Sequence, residues 1–425
     1  MSQRPSSLAR LSLARLSLVA LLVPLAGFSA CERQFVQTCT PVTSPSDPVA
    51  LTLPPIQQLR REHVRLRFES LELVDIPVEV DLPDRQCTFV TTPDQDRQDR
   101  TWRFPAEGVE VPYPDVPGDH TLHTTELLFE DLGAEPSAFT VHAGRDESDQ
   151  YTGSVRAPHA SGEPLSVLVT GSLAPPVQSK VLALGDAADL VFLLGDLRRN
   201  GVDASSWSQL AHDVHAAQPD ALVHTAYGDL EDLDADTAAV WLRWFSGQGR
   251  AGSGETYYAI DLAGVRFIVL DTQDDRLDAG GSQRNWLDAE LRDVVNADRL
   301  REAVVLMHRG PYDLAEQVPA DGLRDNLVGA LKDTGVVRVV LSGHGHGYER
   351  FDVDGVLYLD EGGGGGELGN IDHRVDADPD GAALRVFSSN THGATRLDFA
   401  EDGALTITRL DVTGAEVDSV SLPAP

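Results

Sequence analysis

Gly343-His344-Gly345-His346-Gly347-Tyr348-Glu349-Arg350 follows, after Ser342, the apolar run 336–341. In an extended segment, residues two apart point to the same side, so His344 and His346 present both imidazoles together. Glycines on either side let the backbone come close to a metal ion or a phosphate. Imidazole suits divalent Zn, Fe and Mn. A flexible glycine-rich loop carries the same letters, so the reading depends on what stands at the other strand ends.

Three other places repeat the arrangement. His308 follows the apolar run 303–307, Tyr227-Gly228-Asp229-Leu230-Glu231 follows 221–226, and Gly195-Asp196 follows 190–194. Taken singly, a Gly-Asp after a strand is usually a turn, and a lone histidine at a strand end is usually packed or solvated. Together they put Asp196, Asp229, His308, His344 and His346 forward as ligands of a divalent metal. Further apolar runs at 165–169 and 265–270 alternate with helical patterns such as 236–245 and 283–295. Strand–helix alternation predicts an α/β layered core, and such cores place their sites at the carboxyl ends of strands.

Residues 56–160 read differently. Val64-Arg65-Leu66-Arg67-Phe68 and Val78-Glu79-Val80 alternate apolar and polar, with turn residues such as Pro117-Gly118-Asp119 between short apolar stretches. Short strands with regular turns predict a small all-β sandwich, with no chemistry of its own. Residues 31–55 are rich in Pro, Thr and Ser and read as a tether. The expected order is therefore 1–30 leader, 31–55 tether, 56–160 sandwich and 163–425 α/β domain.

With the histidines and acids in place, the chain resembles the calcineurin-like metallophosphoesterases of the purple acid phosphatase type. That family runs Gly-Asp, Gly-Asp, Gly-Asn-His-Glu, His, then Gly-His-x-His-x-Tyr-Glu-Arg. Residues 343–350 match the last block. Val305-Leu306-Met307-His308-Arg309-Gly310-Pro311-Tyr312 is similar to the fifth, and Arg266-Phe267-Ile268-Val269-Leu270-Asp271-Thr272 to the central stretch. Tyr358 and the glycines 362–366 resemble the late glycine-rich loop. The resemblance covers about 165–425 well and 56–160 loosely. It implies a layered β-sandwich flanked by helices, preceded by a fibronectin-like domain. It also implies two-metal hydrolysis of phosphate esters, with Asp196 as the bridging carboxylate.

The departures concentrate on one metal position and on the acid catalyst. Ser172 stands where the first block has its aspartate ligand, Arg199 where purple acid phosphatases place a tyrosine, Leu230 where the catalytic histidine belongs, and Asp229 where the family has asparagine. One position keeps Asp196, Asp229, His308 and His344; the other keeps only Asp196 and His346. The resemblance thus implies one tightly bound divalent ion (Fe, Zn or Mn) per chain and a small phosphorylated substrate or ligand. The activity is either a phosphoesterase with one intact metal position or a degenerate relative that binds without turnover. A further expectation is that the Arg199 guanidinium lies beside Asp196 in place of the lost metal, against the alternative that it points to solvent.

Formal net charge is −33, and lysine occurs only at Lys180 and Lys332. So acidic a surface repels polyanions, which excludes nucleic acid as an expected partner. At the N-terminus Arg4, Arg10 and Arg15 precede a short apolar run, 16–28, which ends in Phe28-Ser29-Ala30-Cys31. The run is shorter than the ~20 residues that span a bilayer and reads as an export signal. Its end resembles a bacterial lipobox, with Phe28 as a departure. The expectation is an exported envelope protein held to the membrane through a lipidated Cys31, with an ordinary cleaved signal as the alternative. Cys39 and Cys87 then remain as an even pair, bonded in an oxidising compartment or left as two thiols.

Overall fold

A computed structural model describes residues 151–197, 204–233, 235–245, 250–251, 256–273, 277–315 and 321–425. In the N-terminal part it describes 51–59, 63–70, 79–82, 87–90, 92–93, 101–103, 110–112, 121–128, 132 and 135–142. The leader, most of the tether with Cys31 and Cys39, and Arg199 lie outside the described residues.

Two large sheets face each other. In the first, Leu165–Thr170, Leu190–Leu193 and Leu222–Thr225 run parallel, in that order. Gly393–Phe399 pairs antiparallel with Leu165–Thr170, and Leu405–Asp411 and Glu416–Leu422 continue beyond it. In the second, Val265–Val269, Glu302–Leu306, Val337–Ser342 and Val356–Glu361 form the parallel centre. Tyr258–Leu262 and Tyr348–Val353 pair antiparallel with its two ends.

Alternation along each strand explains the layering. Val167 and Val169 join Phe192, Phe267, Val269, Val304, Leu306, Val339 and Leu341 in one buried cluster between the sheets. Leu168, Val191, Leu193 and Val223 point the other way, into a second cluster with Leu210, Trp241, Leu242 and Phe245. Those partners come from the helices Ala204–Ala217 and Ala235–Phe245. On the far side, Ile268, Val305 and Val340 meet Leu287, Leu291, Leu327 and Leu331, from Ser282–Asn296 and Asp321–Asp333. The result is helix, sheet, sheet, helix. Because both faces of each sheet are covered, the central strands read as unbroken apolar runs. The helices expected at 236–245 and 283–295 each extend by about a residue at their ends, within ordinary boundary scatter.

The N-terminal strands divide between sheets. Leu51–Leu59, His63–Ser70, Thr121–Leu128 and Thr92–Pro93 continue the first large sheet past Leu222–Thr225, with Gln57 paired to Leu222. Tyr151–Val155, Ser137–His142, Glu79–Leu82 and Cys87–Val90 make a separate four-stranded sheet. Pairing at Leu222 satisfies backbone groups there that an edge strand would leave unpaired.

Candidate metal centre

The parallel strands of both sheets end at the same side of the molecule, and the turns that follow them meet there. Leu190–Leu193 leads to Asp196, Leu222–Thr225 to Asp229, Glu302–Leu306 to His308 and Val337–Ser342 to His344. The turns touch closely. A Cβ on Gly343 would lie 2.6 Å from Leu194 Cβ, and one on Gly228 would lie 2.4 Å from the Asp196 nitrogen. Only glycine fits at these two crossings. Asp196, Ser172 and His346 adopt positive φ, at 54°, 52° and 50°. Such backbone costs on the order of 1 kcal/mol or more per residue and clusters at functional sites.

Three of the five expected ligands, Asp196, His308 and His344, converge, and Asp229 approaches the two histidines with one oxygen each. His308 Nε2 lies 3.3 Å from Asp196 Oδ1 and 3.7 Å from Asp229 Oδ1. His344 Nδ1 lies 3.1 Å from His308 Nε2 and 3.4 Å from Asp229 Oδ2. Ligand atoms roughly 2.0–2.2 Å from a tetrahedral divalent ion sit about 3.3–3.6 Å apart, close to the spacings from His308 Nε2 to Asp196 and to His344. Asp196, His308 and His344 each offer a donor atom within 4.8 Å of the others.

Supporting contacts fix each ligand. His308 is buried, and its Nδ1 lies 2.7 Å from the Leu194 carbonyl. A carbonyl only accepts, so Nδ1 carries a proton, and Nε2 faces the centre, where its lone pair would be free for a metal once its own proton leaves, as metal-binding histidines are usually held. Asp196 Oδ1 accepts the Leu230 N–H at 2.8 Å. Glu231, buried, accepts from the backbone nitrogens of Asp196 and Leu197 at 2.9 Å and of Gly228 at 3.0 Å. It thereby ties the Asp196 turn to the Asp229 turn. Behind the His344–His346 loop, the Gly345 N–H donates to the buried carboxylate of Asp360 at 2.9 Å.

The charges of the metal-free site follow from these contacts. Burial opposes the ionisation of Asp196, but His308 beside it outweighs burial and holds its carboxyl below the usual range. Burial likewise works against protonated His308, yet Asp196 and Asp229 lift it to about 9. Burial, then the charge of His308, pushes His344 down to about 3. One imidazolium thus sits between two carboxylates, with a neutral imidazole next to it.

The region where the resemblance would place a second metal is built differently. Ser172 is buried and its hydroxyl donates to the Gly343 carbonyl at 2.9 Å, so it closes a turn crossing. His346 Nδ1 lies 3.0 Å from the Glu367 carbonyl and stands outside the Asp196–His308–His344 group. The glycine-rich loop runs alongside: Gly364 N donates to Gly171 O and Gly366 N to Ser172 O, both at 2.9 Å.

Three contributors carried no assignment from the sequence. Arg309 Nε and Nη2 donate to Asp229 Oδ1 and Oδ2 at 2.8 and 2.6 Å. Gln273 Nε2 donates to Asp229 Oδ1 at 2.5 Å. Glu231 is the third. Arg309 directly follows His308, and Glu231 closes the Gly-Asp-Leu-Glu block; Gln273, just past the central stretch, has no signal in sequence.

The layered architecture matches the fold of a purple acid phosphatase. Comparison with solved structures agrees. A purple acid phosphatase from yellow lupin (Lupinus luteus) seeds superposes with a TM-score of 0.68 at 16% identity, covering 88% of this chain and 75% of that one. PhoD superposes with a TM-score of 0.50 at 13% identity, covering 90% of each chain. Among curated proteins, purple acid phosphatase 22 of Arabidopsis thaliana is 34% identical over 125 residues, 27% of this chain and 28% of that protein. A probable inactive purple acid phosphatase 9 from the same plant is 33% identical over 102 residues, 23% of this chain and 15% of that protein. The chain therefore matches less than a third of the length of either curated relative. No family model matches.

Proposed function

We propose that the chain is a metal-dependent phosphoesterase with one divalent ion, held by Asp196, Asp229, His308 and His344. The convergence of Asp196, His308 and His344, with Asp229 against the two histidines, carries the reading. An ion bound there would supply a Lewis acid for a phosphoryl oxygen and a site for an activated water. The remaining chemistry belongs to the chain. The Leu194 carbonyl fixes the His308 ring, Glu231 sets the Asp196 turn, and Arg309 holds Asp229.

Leu230 offers no proton where the family has a histidine. General acid help is typically worth ~10²–10⁴ in rate, so the substrates favoured are small phosphate esters whose leaving groups need little protonation, such as aryl esters. The second reading is a phosphate-binding relative without turnover; the engaged hydroxyl of Ser172 and the apolar Leu230 favour it. Metal content of the dialysed protein, measured with turnover of an aryl phosphate, decides. One equivalent of metal with turnover that falls in His344→Ala supports the phosphoesterase. Metal without turnover supports the binding reading, and no metal with no turnover sinks the phosphoesterase.

A further inference from the structure

We propose that Arg309 is an internal cation that competes with the divalent ion for Asp229 and so sets the metal affinity of the site. The inference rests on the metal position assigned above. Asp229 stands where the resemblance expects a neutral asparagine, so the site carries one more negative charge. Arg309 returns that charge through a two-pronged contact, at 2.8 and 2.6 Å, with the carboxylate. Gln273 adds a bond at 2.5 Å. The Arg309 backbone nitrogen donates to Thr272 Oγ1 at 2.9 Å, which fixes where the side chain starts.

Each oxygen of Asp229 is therefore shared. Oδ1 faces Arg309 Nε, Gln273 Nε2 and, at 3.7 Å, His308 Nε2. Oδ2 faces Arg309 Nη2 and, at 3.4 Å, His344 Nδ1. A dication beside those ring nitrogens would have to draw charge from a carboxylate that a guanidinium already neutralises, and would sit next to a like charge. The side chains of Asp229 and Arg309 are 21% and 31% exposed, so solvent weakens the effect without removing it. Planar pairing of this kind is specific to arginine; lysine keeps the charge without the fork. If Arg309 served only to orient Asp229 as a ligand, its loss would weaken metal binding. Competition predicts the opposite sign.

The test is Mn²⁺ titration of the metal-depleted full chain by calorimetry, wild type against Arg309→Gln and Arg309→Lys. Arg309→Gln is expected to bind Mn²⁺ roughly tenfold more tightly or better, and Arg309→Lys to change less. In an Asp229→Asn background, Arg309→Gln should gain less, because there is no carboxylate to release. Without metal, Arg309→Gln should melt lower than wild type, since Asp229 loses its guanidinium partner, and saturating Mn²⁺ should raise its melting temperature more than that of wild type. A variant with native near-UV circular dichroism and equal or weaker Mn²⁺ affinity overturns the proposal. Binding by Arg309→Gln alone supports it, and binding by neither protein overturns it together with the metal site. If wild type binds Mn²⁺ but His344→Ala binds it equally well, the ion sits elsewhere and the assignment of the site fails on its own account.

Discussion

A proton and a metal ion compete for His308. Asp196 and Asp229 overcome the cost of burial and raise its imidazole to about 9, above the ordinary value of 6.5. Because the folded value is raised, protonation of His308 stabilises the metal-free protein fully below about pH 6.5, and that contribution is lost as pH rises through about 9. The loss is expected to be on the order of 3 kcal/mol, read by urea unfolding in a chelator at pH 6 and pH 9.5, and absent in His308→Ala. Metal affinity should rise over the same window, since the ion binds only the neutral ring. A stability difference that His308→Ala leaves unchanged would contradict this. The candidacy of His308 was legible in the sequence, because a histidine closing an apolar run is a visible signal. Its charge was not, because that depends on carboxylates 112 and 79 positions away in the chain. Arg309 was harder still: its pairing with Asp229 spans 80 residues and exists only once two strands from different sheets end side by side.

The core strands at 165–169, 190–194, 265–270, 303–307 and 336–341 and the helices at 236–245 and 283–295 were read almost to the residue, because buried parallel strands leave continuous apolar runs and their helices a regular stripe. The N-terminal stretches at 64–68, 78–80 and 87–90 were also read as β, but not their division between sheets. The alternation at 64–68 identified a strand, but alternation does not say which sheet a strand joins, and His63–Ser70 lies in the large one. The turn crossings were half visible: the glycines were plain, and their purpose was not. A Cβ on Gly343 would meet Leu194 Cβ at 2.6 Å and the Leu194 carbonyl at 3.0 Å. Gly343→Ala is therefore expected to destabilise by about 1–3 kcal/mol, as overpacking does, and to weaken metal binding by shifting His344. Gly329→Ala, in the helix Asp321–Asp333 with nothing within 4 Å of the added carbon, should stabilise by up to about 1 kcal/mol. Chemical denaturation of both variants checks the pair; equal effects would show that the crossing is loose.

Across the whole molecule, the net charge of −33 and the apolar run before Cys31 bear on where the protein works. We propose that the mature chain begins at Cys31 and is anchored in the envelope by lipid there, which rests on Phe28-Ser29-Ala30-Cys31 after a short apolar run. A single acyl chain gives marginal binding and two signals give a stable anchor. In a bacterial host, the wild-type chain should fractionate with membranes and Cys31→Ser should be released; a soluble wild type would refute the anchor. The structure adds a consequence of another kind. Asp196 and Asp229 hang from one large sheet, and His308 and His344 from the other. Whatever bridges these four side chains, proton or ion, acts as a clasp on the open end of the sandwich. Strip the clasp, and the two halves would be freer to breathe apart at that end, with amide exchange quickening first at the strand ends around Leu194 and Met307.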